Sequence, residues 1–99
     1  MSYSLSLRPS ALAEIEAARD GYAPIEHADS FVDAVEVVLD AIRSEPLRFP
    51  VLYRNVHRAL LRRYPFAVFF CVRPATEHVV GLAVLAQRAD PAKWPSRRP

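Results

Sequence analysis

Glycine is nearly absent. Gly21 and Gly81 are the only two in 99 residues, which excludes a glycine-rich phosphate loop and, with it, the common nucleotide cofactors. Cysteine occurs once, so no internal disulfide can form. The setting of Cys71 in "AVFFCV" marks a buried small hydrophobe rather than a reactive thiol, in keeping with a reducing cytoplasm. No apolar run approaches the roughly 18 residues that span a bilayer, and "MSYSLSLRPS" lacks the basic start and unbroken apolar stretch of a secretory signal. A cytoplasmic protein without a membrane partner is expected. The three histidines, His27, His57 and His78, stand far apart without cysteines or carboxylates at ligand spacing, so no metal or other cofactor is expected. No nucleophile motif marks any serine or the cysteine.

What is present is apolar surface and arginine. Hydrophobic residues make up 52% of the chain and charged ones 24%, enough to build a modest core and too much to leave the chain disordered. One domain, residues 1–99, is expected. The net charge of +2 conceals a division. Residues 1–45 carry three Arg against nine Asp and Glu, a balance of −6, whereas residues 46–99 carry ten Lys and Arg against Glu77 and Asp90, a balance of +8. A protein charged oppositely on its two halves draws polyanions or acidic segments to one side and repels them from the other.

Periodicity places the elements. "YSLSL" alternates Tyr3, Leu5 and Leu7 with Ser4 and Ser6, a half-buried strand. Pro9 suits the first position of a helix whose Leu12, Ile15 and Arg19 recur at helical spacing, with Gly21 as its stop. In "EHADSFVDAVEVVLDAIRSEP" the residues Phe31, Val35, Val38, Leu39 and Ile42 share one face, opposite Asp29, Asp33, Glu36 and Asp40. That is an amphipathic helix closed by Pro46. Beyond Phe49 the period shortens. Val51 to Tyr53, Ala59 to Tyr64, Ala67 to Arg73 and Val79 to Gln87 read as strands separated by "RNVH", Pro65 and "PATEH". The expected fold is α+β, with two N-terminal helices packed on a small, mainly antiparallel sheet in the order β-α-α-β-β-β.

Arginine on strands supplies the candidate site. If "HRALLRRYP" is extended, Arg58, Leu60, Arg62 and Tyr64 share a face, with the two guanidinium-bearing positions about 13 Å apart. Such a face is a solvated surface, an edge guarded by charge, or a binding surface. The chain then ends in a basic, aromatic tail, residues 88–99, with Arg88, Lys93, Trp94 and Arg97. Basic residues interleaved with aromatics suit single-stranded RNA, and equally an acidic partner peptide. The tail either folds back over the core or grips a partner. A non-toxic RNA- or protein-binding module using the basic sheet face would need nothing more.

"LLRRYPFAVFFCV", "VVGLAVLAQR" and "DPAKWPSR" resemble, in order and spacing, toxins of the RelE/ParE superfamily from bacterial type II toxin-antitoxin systems. "YSLSLRPSALAEI" and "FVDAVEVVLDAIRSEPLRFP" extend the resemblance over nearly the whole chain. It implies a compact sheet under two helices, cytoplasmic location, a role in plasmid stabilization or growth inhibition, and a cognate antitoxin protein as partner. It implies one of two targets: the ribosome with its mRNA, which RelE-like members cleave, or DNA gyrase, which ParE-like members poison. By position, Arg62 matches the arginine before the "YPFAVFFCV" strand and Arg88 the one closing the last strand. These two are the candidate catalytic residues if the chain is a nuclease, and Trp94 falls where RNA cutters often carry tyrosine. Arg58, Arg62, Arg88, Lys93, Trp94 and Arg97 are the expected target- or antitoxin-binding set. Ala86 and Ala89 depart from the polar and basic residues of many relatives, and the lysine pair of RNA cutters is absent around Asn55 to His57. The catalytic set is therefore incomplete, since arginine can stabilise a phosphate but makes a poor base.

Overall fold

The structure is a computed structural model that describes residues 2–93. Strand β1 (Ser4–Leu7) leads into helix α1 (Pro9–Tyr22), a 3-10 turn (Ala23–Ile25) and helix α2 (Ala28–Ser44). Strands β2 (Val51–Tyr53), β3 (Val56–Leu60), β4 (Phe66–Arg73) and β5 (His78–Ala86) follow, and a 3-10 turn at Pro91–Lys93 comes after β5. The five strands form one sheet in the order β1-β5-β4-β3-β2. Among the described strands only the β1–β5 pair is parallel, with Ser4 opposite His78 and Leu7 opposite Gly81. This is the expected α+β layer, with Val51–Tyr53 standing as a short edge strand of its own.

Prolines set where helical turns begin. Pro9 opens α1, and Pro46, Pro74 and Pro91 each open a 3-10 turn, because a locked φ suits the first helical position and no N–H is missed there. Glycine does not play the matching part. Gly21 lies inside α1, and the helical hairpin turns at Glu26, in the left-handed region at φ 60°. Arg54, Arg63 and Glu77 adopt the same conformation, so among the described residues the left-handed positions fall on charged residues.

The first helix buries a different stripe from the expected one. Ala11, Ile15, Ala18 and Tyr22 face the core, while Leu12 is 48% exposed. In α2 the stripe is as the pattern predicts, with Phe31, Val35, Val38 and Ile42 buried. These residues meet Val68, Phe70, Val72, Val79 and Val84 from the sheet. At one end Tyr22, Phe31, Tyr64 and Phe66 form an aromatic cluster with ring centroids 4.9–6.3 Å apart, stacked or edge-on as ring quadrupoles favour.

Strand β1 is short, and α1 completes its work. Beyond Gly81 the outer edge of β5 has no strand beside it among the described residues. The Ser10 hydroxyl donates to the Leu82 carbonyl at 3.2 Å, and the Val84 N–H donates to Glu14 Oε1 at 3.0 Å. Both contacts satisfy edge groups that would otherwise be costly to bury. A bulge in β5 at Leu82 turns both Leu82 and Ala83 to the face without helices, shifting the alternation by one.

Candidate functional site

Strand β3 ends at Leu60, not at Tyr64, and it begins at Val56, inside the expected "RNVH" loop. The alternation that would align Arg58 with Arg62 therefore stops short. Leu61 is buried, and residues 62–65 bend as a loop, with Arg63 at φ 71°. That reversal carries Arg62, Arg63 and Tyr64 toward α2, where they line a trough of about 690 Å³ with Ser30, Asp33, Ala34, Val37 and Val38.

A second hollow of about 590 Å³ adjoins it, lined by Tyr22, Ile25, Glu26, His27, Ser30, Arg63 and Tyr64. Because Ser30, Arg63 and Tyr64 belong to both, the two make one channel from the α1–α2 turn along the flank of α2. From Ser30 to Val38 the helix rises about 12 Å. The Ser30 and Tyr64 hydroxyls hydrogen-bond across the shared wall. The channel has an apolar floor, a cationic wall from Arg62 and Arg63, and acidic groups from Glu26 and Asp33. Among the described residues the ion pairs are Arg19–Asp20, Arg43–Asp40 and Arg48–Glu45, so neither trough arginine is neutralised. Val37 and Ile25 stand 60% and 62% exposed at its ends.

The other expected site residues lie elsewhere. Arg58 is on the helix-free face, half-buried, its Nη1 donating to the Gln87 carbonyl at 3.1 Å. Arg88 and Lys93 are exposed after β5, and the Gln87 N–H donates to the Pro65 carbonyl at 3.1 Å, so Arg88 follows directly on a tie to the Arg62–Tyr64 loop. Trp94 and Arg97 lie outside the described residues. His57 is buried, donating from Nδ1 to the Phe49 carbonyl at 2.9 Å, with its ring stacked on Phe70 at 5.0 Å. His78 is held by the hydroxyls of Ser4 and Ser6 at 2.6 and 2.9 Å, at the opposite end of β5 from Arg88. Burial pushes the Cys71 thiol above its usual range, against the opposing pull of Arg73 and Arg8.

The trough's α2 wall was not anticipated from sequence. One signal for it was present: Val37 is an aliphatic residue off the buried stripe of α2, beside Glu36.

No family model and no curated protein matches this sequence. Solved structures do share its architecture. One is a chain of the chromosomal ParDE toxin-antitoxin system from P. aeruginosa, with a TM-score of 0.66 and 20% identity over 86% of this chain and 96% of that one. Another is from the toxin-antitoxin complex RelBE2 of Mycobacterium tuberculosis, with a TM-score of 0.56 and 18% identity over 87% of this chain and 99% of that one.

Proposed function

We propose that the chain is the toxin of a type II toxin-antitoxin module, arresting bacterial growth until a cognate antitoxin neutralises it. The observation that carries this reading is the coverage of the structural likeness. Nearly all of each neighbour, from toxin-antitoxin systems in both cases, superposes on 86–87% of this chain. The channel beside α2 is the antitoxin's seat on this reading, because exposed Val37 and Ile25 beside charges of both signs without an ion-pair partner among the described residues suit an amphipathic segment.

Of the two targets, DNA gyrase is favoured over ribosome-bound mRNA. Cleavage by a ribose 2′-hydroxyl needs a base, and His57, the nearest conventional one to Arg58 and Arg62 in sequence, is buried and bonded to a backbone carbonyl. Arg62 and Arg88 would supply phosphate stabilisation alone. Induction in a bacterial host tests the reading. Growth should stop, co-expression of a small adjacent gene should restore it, and a DNA-damage response should appear without new 5′ ends in ribosome-bound messages. New RNA ends that fall about 100-fold or more in Arg62→Ala and Arg88→Ala would instead establish a nuclease. Normal growth under verified soluble expression would favour a non-toxic binding module.

A further inference from the structure

A two-layer fold leaves one sheet face without helices, yet here the middle of that face is covered although Leu60 at its margin is 50% exposed. Val56, Phe69 and Leu82 on it are 2%, 0% and 0% exposed, and Cys71 beside them is 2% exposed. The chain after β5 accounts for part of the cover. The Ala89 N–H donates back to the Ala86 carbonyl at 2.8 Å, Ala89 packs on this cluster, and Pro91 is buried. The turn at Pro91–Lys93 then reaches β2. Since β2 lies three places from β5 in the sheet order, residues 87–93 cross β4 and β3 to get there.

What holds this segment is sparse. Among the described residues, the backbone N–H groups of Ala89, Ala92 and Lys93 bond only to Ala86 and Asp90, within the segment or next to it. The tie from the sheet face is Arg58, whose Nη1 donates to the Gln87 carbonyl. Arg58 pairs in register with Phe69 and shares its face. Its Nε is buried with no hydrogen-bond partner among the described residues, so the Gln87 carbonyl reached by Nη1 is the acceptor that places this guanidinium. A segment with a backbone tie at its start, from the Gln87 N–H to the Pro65 carbonyl, and beyond that only local hydrogen bonds, one side-chain tie and a few apolar contacts among the described residues belongs to the low-stability end of a fold, where parts open without global unfolding.

We infer that residues 87–93 form a strap that closes the helix-free face of the sheet and opens as a unit of its own, with Arg58 as its latch. Arg88 and Lys93 ride on the strap, so the latch also fixes where these two cations stand. The inference does not depend on toxicity.

Cys71, the only cysteine, reports the closed state. The full chain is labelled with Ellman's reagent in native buffer and across a urea series. Wild-type labelling should depend on urea less steeply than global unfolding does at low denaturant, the signature of partial opening. Arg58→Met should label about tenfold faster or more, and Arg58→Lys, which keeps a donor on a long stem, should lie between. Val38→Ala, in the core between helices and sheet, should lower the melting temperature without speeding native labelling. Pro91→Ala loosens the strap from its own side and should speed labelling too, which keeps the test open if Arg58→Met does not fold. Labelling that follows global unfolding at every urea concentration, or that changes in the strap and latch variants only in proportion to lost global stability, would overturn the strap.

Discussion

Cys71 shows what burial does to one titrating side chain. Its thiol sits at 2% exposure among Val56, Ala67 and Phe69, and desolvation raises its pKa above the ordinary 9.0 although Arg73 and Arg8 oppose the shift. The folded state thus holds the proton longer than the unfolded chain. Its contribution to stability is complete below the unfolded value and is lost as pH rises through that value toward the folded one. Wild type should therefore lose more stability than Cys71→Ala between pH 8 and a pH above 9.0, read from urea midpoints at each pH. Parallel pH profiles for the two proteins would contradict this. The buried character of Cys71 was legible from "AVFFCV", as was the placing of His57 opposite Arg58 by alternation. That the His57 ring stacks on Phe70 and binds the Phe49 carbonyl was not, since those partners are brought together by tertiary packing.

At the scale of elements, sequence and structure agree where the pattern is local and long. The stripe of α2 is such a case, with one buried apolar side chain every turn and carboxylates opposite. They part company in "HRALLRRYP", where period two continues on paper through Tyr64 while the strand stops at Leu60. Leu61 is buried by either reading, so alternation could not reveal that Arg63 turns left-handed. A glycine there would have marked the reversal, but the chain's two glycines lie inside α1 and β5. The parallel β1–β5 pair was equally hidden, because nothing within either segment encodes a partner some 70 residues away. The same pairing gives α1 its task at the β5 edge. Glu14→Ala removes the acceptor of the Val84 N–H, and a hydrogen bond to a charged group contributes about 1.5–3 kcal/mol. The Val84 amide should then exchange with deuterium at least tenfold faster relative to amides in β4. Unchanged relative protection would show that water or a neighbouring group replaces the carboxylate.

Over the whole molecule, the division of charge read from the sequence becomes a seam. Acidic residues of the helical hairpin and basic residues of the β3–β4 loop face one another across the channel, as Asp33 and Glu26 against Arg62 and Arg63. A partner seated there must satisfy both signs, so its association should be steered by charge and slowed by salt, while apolar contact on Val37, Ala34 and Val38 governs how long it stays. These two contributions can be separated. Val37 is 60% exposed, so Val37→Glu should leave the urea midpoint within about 0.5 kcal/mol of wild type. On the proposed function it should also leave growth arrest intact, yet weaken binding of the adjacent-gene product about tenfold or more, chiefly through faster dissociation. Arg62→Glu combined with Arg63→Glu should act mainly on the association rate and flatten its dependence on salt. Surface plasmon resonance with the purified adjacent-gene product at low and high salt distinguishes the two effects. If that product binds wild type tightly and all three substitutions leave both rate constants unchanged, it does not bind in the channel.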